Sequence, residues 1–131
     1  MFKYFGILFL ASLLFSCTGG EDSAKIGQYT TFSIDKVYDA GKVAKGELIQ
    51  ATFEVKNTGT YPLIIADVQE SCTCTVSDYP QDPIEPGETG TIKATVNTDE
   101  TNRGNIKKPI EITANTRPST TEVNIIAQVI D

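Results

Sequence analysis

Between Ile49 and Lys56 apolar and polar residues alternate without a break. Ile49, Ala51, Phe53 and Val55 fall on one side, Gln50, Thr52, Glu54 and Lys56 on the other. A helix would scatter those four apolar side chains around its circumference; a strand, with its period of two, collects them on one face. The segment is therefore a strand with one face in a core and one in water. The same period recurs along the chain. Phe32 and Ile34 alternate with Ser33 and Asp35; Ile92, Ala94 and Val96 with Lys93 and Thr95; Ile110, Ile112 and Ala114 with Glu111 and Thr113. In the last run Val123, Ile125, Ala127 and Val129 point inward, while Ile126 and Ile130 share the outward face with Asn124 and Gln128. Leu63 to Val68 is nearly continuous in apolar residues and reads as a more deeply buried strand.

The punctuation between these runs is that of an all-β chain. Asn57-Thr58-Gly59 ends the first clear strand, with Asn and Gly expected to supply φ > 0. Val37 to Gly41 leads into a turn, and Asn102-Arg103-Gly104-Asn105 forms another. Within the proline-marked loop from Tyr79 to Gly90, Pro86-Gly87 suits the central positions of a type II turn. Pro109, which cannot donate to a ladder, predicts an edge position or a bulge. About seven short strands with no helical stretch predict a single immunoglobulin-like antiparallel β-sandwich.

The N-terminus follows other rules. Lys3 and the apolar run Gly6–Phe15 form a signal segment, too short to span a bilayer as a mature helix. Leu14-Phe15-Ser16-Cys17 resembles the bacterial lipobox, in which cleavage leaves a lipidated cysteine as the new N-terminus. Residues 1–16 are thus expected to be a lipoprotein signal peptide. Residues 17–29, with Gly19, Gly20, Glu21, Asp22 and Ser23, form the lipidated cysteine and a flexible tether; residues 30–131 form the sandwich. Acyl chains on Cys17 would hold the protein to a membrane. The expected location is the bacterial cell envelope, at the outer membrane, facing either the periplasm or the cell surface. Glu21-Asp22 close behind the cysteine is similar to the acidic surface-export signals of some Bacteroidota lipoproteins.

Composition narrows the function. The 131 residues contain no histidine, which removes the commonest general base and metal ligand together with Ser-His and Cys-His nucleophile pairs. A formal charge of −6, with no basic run carrying interleaved aromatics, argues against nucleic-acid binding. No cofactor and no enzymatic activity are expected.

Phe53-Glu54-Val55-Lys56-Asn57-Thr58-Gly59, Pro62-Leu63-Ile64-Ile65, Val68, Ser71-Cys72-Thr73-Cys74-Thr75, Pro86-Gly87-Glu88 and Gly90 stand in an order that resembles the bacterial family named domain of unknown function 1573. The resemblance runs from about Phe32 to Val129 and implies an immunoglobulin-like sandwich similar to major sperm protein and related interaction modules. One position departs from the family pattern: Thr73 stands where a glycine usually separates the two cysteines.

With Cys17 lipidated, Cys72 and Cys74 remain as a pair. On an extended strand their Cα atoms would lie about 6.5–7 Å apart, the outer limit for a disulfide, so a bridge needs a bend. Closing so short a loop contributes only about 1.6 kcal/mol in the chain-entropy model. Four readings stay open: a strained disulfide, two small apolar core residues, a soft-metal site restricted to low-coordinate copper(I) or a site shared between chains, and a thiol-disulfide catalyst. Asp78, Asp82, Glu85 and Glu88 match no calcium-loop spacing and read as solvated loop acids. Tyr29, Tyr38, Tyr61 and Tyr79 would form a binding face only if the fold gathered them; semi-buried packing is the ordinary use of such residues.

Two functions follow. The first is a non-enzymatic binding or assembly module on a membrane-anchored lipoprotein, with an envelope protein or glycan as partner. Ile126 and Ile130 motivate an edge-strand contact in that reading. The second is a redox-responsive or copper(I)-handling lipoprotein acting through Cys72 and Cys74.

Overall fold

The computed structural model describes residues 28–71 and 74–131. The signal segment, Cys17 and Cys72 lie outside the described residues. Eight strands follow in order: β1 (Phe32–Ser33), β2 (Val37–Ala44), β3 (Leu48–Asn57), β4 (Ile65–Glu70), β5 (Cys74–Asp78), β6 (Thr89–Asn97), β7 (Gly104–Ala114) and β8 (Thr120–Ile130), with one 3₁₀ turn at Thr98–Glu100. They form two four-stranded sheets, β1-β3-β6-β5 and β2-β8-β7-β4. β1 and β2 are separated by three residues and flank different sheets, so they act as one strand that changes sheets midway. Counted that way the sandwich has the expected seven strands.

The core is the set of inward positions that the alternation predicts. Ile49, Ala51, Phe53 and Val55 of β3 and Ile92, Ala94 and Val96 of β6 face Ile110, Ile112 and Ala114 of β7 and Val123, Ile125, Ala127 and Val129 of β8, all buried. β3 and β6 pair without a slip from Leu48↔Asn97 to Lys56↔Thr89, because a one-residue shift would turn every apolar side chain into water. Tyr38 closes one flank, edge-on to Phe53 at 6.2 Å between ring centroids. Losing a ring such as Phe53 from this interior would cost about 3–5 kcal/mol.

The structure departs from the sequence reading in four places. β2 pairs parallel to β8 (Val37↔Asn124 through Ala44↔Ile130), the one parallel pairing among the described strands. β8 has neighbours on both sides, so Ile126 and Ile130 do not lie on an edge strand. β4, expected to be deeply buried, is itself an edge: only Ile65 and Val68 of its six residues are buried. Finally, Asn57 and Gly59 do not have positive φ. Other expectations hold. Glu88 N donates to Glu85 O at 2.9 Å around Gly87 at φ +84, the type II turn. At Pro109 the β4 pairing has ended, at Glu70↔Ile110, so β7 is open on one side there.

Asn57 continues the inward face of β3 and is completely buried. Its Oδ1 accepts from Thr30 Oγ1 at 2.8 Å and Gly59 N at 3.0 Å; its Nδ2 donates to Tyr61 O at 2.7 Å and Ile84 O at 2.8 Å. Four partners satisfy the whole amide and tie together the segments around residues 30, 59–61 and 84. The Asn-Thr-Gly signature is thus an architectural joint, with no group left over for a ligand. Thr98 plays the same part near the opposite end of the sandwich. Its Oγ1 donates to Glu47 O at 2.6 Å and accepts from Gly46 N at 2.8 Å. Lys45 Nζ donates to the carbonyls of Thr98, Asp99 and Thr101, securing the 3₁₀ turn.

Candidate functional site

The outer face of the β2-β8-β7-β4 sheet carries a depression of about 480 Å³ over β2, β8 and β7. The register places its side chains in two rows. Asp39, Ile126 and Lys107 form one; Lys42, Gln128 and Asn105 form the next. Half-buried Ile126 is the apolar floor, and the five polar residues around it are exposed.

The depression exists because β2 is irregular. Between Asp39 and Lys42 it takes three residue steps while β8 takes two, from Ile126 to Gln128. The extra residue is a β-bulge, and Gly41 adopts φ +69 within it, a conformation that glycine adopts without steric cost. Asp39 Oδ1 accepts from Gly41 N at 2.8 Å and pins the bulge. The carboxylate is thereby partly occupied. Lys42, Asn105, Lys107 and Gln128, by contrast, make no side-chain hydrogen bond or ion pair among the described residues. One row above, the Oδ1 of Asn124 is a buried acceptor without a hydrogen-bond donor among the described residues.

The residues singled out from sequence are dispersed around this site. Cys17 and Cys72 lie outside the described residues. Cys74 opens β5 at the edge of the other sheet, 6% exposed and packed into the core. Its N–H donates to Ser71 O at 2.9 Å, and Ser71 Oγ donates to its Sγ at 3.4 Å. That burial suits a small core residue better than an accessible nucleophile. Tyr38 and Tyr79 pack on the core, while Tyr29 and Tyr61 are exposed. The tyrosines therefore do not share one face. Arg117 stacks over Tyr29, 4.0 Å from its ring centroid. Asp78, Asp82, Glu85 and Glu88 are exposed, and among the described residues no three acidic, Cys or His groups converge as a metal site would require.

Ile126 was legible from its outward parity. Its companions Lys42, Asn105, Lys107 and Gln128 were not, since only the pairing of three strands distant in sequence assembles them. A signal for the bulge was present in Gly41, a glycine inside an alternating run.

The family described as protein of unknown function (DUF1573) matches residues 31–129. No curated protein matches the chain. Among solved structures, a protein of unknown function from Porphyromonas gingivalis is similar at TM-score 0.68 and 19% identity, over 83% of this chain and 51% of that one. The chain thus spans about half the length of that relative. The secreted serine protease VesC from Vibrio cholerae is similar at TM-score 0.65 and 13% identity, over 78% of this chain but 24% of the protease. The ASH/PapD-like domain of human CEP192 is similar at TM-score 0.61 and 15% identity, over 79% of this chain and 87% of that domain. At such identities these likenesses establish the immunoglobulin-like fold and nothing finer.

Proposed function

This chain belongs to the DUF1573 family, and from that premise we propose that it is a non-enzymatic binding or assembly module of the bacterial cell envelope, tethered to the outer membrane through a lipidated Cys17. The observation that carries the reading is the depression on the β2-β8-β7 face. Its two ammonium groups and two amides have no partner among the described residues, and they surround an apolar floor on a rigid sheet. Groups of that kind offer a ligand charge, hydrogen bonds and an apolar contact, the means by which a binding surface works. The resemblance of the fold to PapD-like modules and the lipobox-like Leu14-Phe15-Ser16-Cys17 support the same assignment.

The experiment compares the wild-type chain, Ile126→Lys and Cys17→Ser, each expressed in a Gram-negative host. Membranes are fractionated, and envelope neighbours are captured by in-cell cross-linking. The expected outcome is that Cys17→Ser leaves the membrane fraction, while Ile126→Lys stays there and loses its cross-linked neighbours. An unchanged neighbour set in Ile126→Lys would overturn the assignment of the binding surface. Retention of Cys17→Ser in membranes would overturn the anchor.

A further inference from the structure

We propose that the depression takes an extended acidic peptide segment, with two carboxylates four residues apart and an apolar side chain midway between them. This rests on the binding-surface reading above and names the chemical class of its ligand.

The chain carries a net −6, yet the depression over β2, β8 and β7 has Lys42 and Lys107 against Asp39 alone, and Asp39 already accepts from Gly41 N. The site is therefore locally positive on an acidic protein, and its ammonium groups are not neutralised by neighbours. An anionic ligand is steered toward such a spot.

Spacing sets the ligand's form. Lys42 and Lys107 lie on either side of β8, on β2 and β7 respectively, and in adjacent rows. Two strand spacings of about 4.8 Å across and two residue steps of about 3.3 Å along put their Cα atoms about 12 Å apart. An extended chain covers about 13 Å in four residues, and residues i, i+2 and i+4 face the same way. Carboxylates at i and i+4 thus reach the two lysines, and the side chain at i+2 comes down over β8 between Ile126 and Gln128. Asn105 and Gln128 offer amides to the peptide backbone.

The chemistry favours a peptide over an acidic glycan. No aromatic ring lines the depression, whereas a sugar ring would gain most of its contact from one. A second copy joined by strand addition is disfavoured as well. Of the four edge strands, β1 has two residues and β2, β4 and β5 each contain a bulge, a combination that blunts edge pairing.

The test uses the full chain in detergent micelles. The probe is a fluorescent seven-residue peptide with glutamates at its second and sixth positions, valine at the fourth and threonine elsewhere. Anisotropy should give saturable binding that weakens about tenfold or more for Lys42→Glu or Lys107→Glu, and again when salt is raised. Lys56→Glu, on the other sheet, should bind as wild type. A glutamine version of the peptide should bind about tenfold more weakly. Equal binding of the glutamate and glutamine peptides, or binding indifferent to both lysines, would overturn the proposal. So would a polyuronate oligosaccharide that binds with the same lysine dependence while the peptide does not. If Ile126→Lys loses its envelope neighbours although the wild-type chain ignores the acidic peptide, the ligand class is wrong and the binding surface stands.

Discussion

Two glycines show how one residue type serves different needs here. A Cβ on Gly59 would overlap Thr30 Oγ1 and sit 2.7 Å from the backbone nitrogen of Thr31. Its role is space. Gly41 has nothing within 4 Å of an added Cβ but holds φ +69, so its role is conformation. Gly41→Ala should therefore cost about 1 kcal/mol in urea unfolding. Gly59→Ala should cost more, about 1–3 kcal/mol, and Thr30→Ala should not rescue it because the clash with Thr31 N remains. Asn57→Ala should be the most damaging of the three, at about 3 kcal/mol or more. It strands the Tyr61 carbonyl, the Thr30 hydroxyl and the Gly59 N–H at once, and leaves the Ile84 carbonyl with Leu63 N alone. A Gly59→Ala variant as stable as Gly41→Ala would refute the spatial role.

At the scale of the strand, the edges carry features that oppose pairing with another chain. Regular edge strands present rows of unpaired N–H and C=O groups, and each of the longer edges here is interrupted by one extra residue. In β2 that interruption also shapes the binding depression. Deleting Ala40 would restore a regular register between β2 and β8. Two results are expected together: concentration-dependent association in sedimentation velocity, from the straightened edge, and loss of acidic-peptide binding, from the flattened depression. A monomeric deletion variant that still binds the peptide would show that the bulge serves neither purpose. Lys45, whose ammonium holds three carbonyls around the 3₁₀ turn, secures the start of β3 against the turn that leads to β7.

For the whole molecule, the burial of Cys74 changes what thiol chemistry reports. At 6% exposure, its sulfur is shielded by the fold itself, so resistance to alkylation in the native protein is no evidence of a disulfide. In a Cys72→Ser variant, iodoacetamide should modify Cys74 slowly in buffer and rapidly above the urea midpoint, the rate following global unfolding. Rapid modification well below the midpoint would mean that Cys74 is exposed by local opening, and would favour the redox reading. Oxidation in the wild type is then decided by alkylating after unfolding, before any reductant is added.

The inner face of the sandwich was readable in the chain because burial is periodic. Ile49 through Val55, Ile92 through Val96 and Val123 through Val129 announce their own orientation, and the type II turn at Pro86-Gly87 announces itself by two residues' φ preferences. Periodicity is blind to neighbours, however. It could not say that β8 would be flanked on both sides, that β2 would join it in parallel, or that β4 would be an edge. Nor could it show that Asn57, one step beyond the last apolar residue of β3, would be buried and fully bonded. Those outcomes depend on which strands pair across tens of residues, through the shared need to cover apolar faces and satisfy backbone groups. The binding depression belongs to the same class. Lys42, Lys107 and Ile126 are each ordinary in the sequence, and only the register of three strands makes them adjacent.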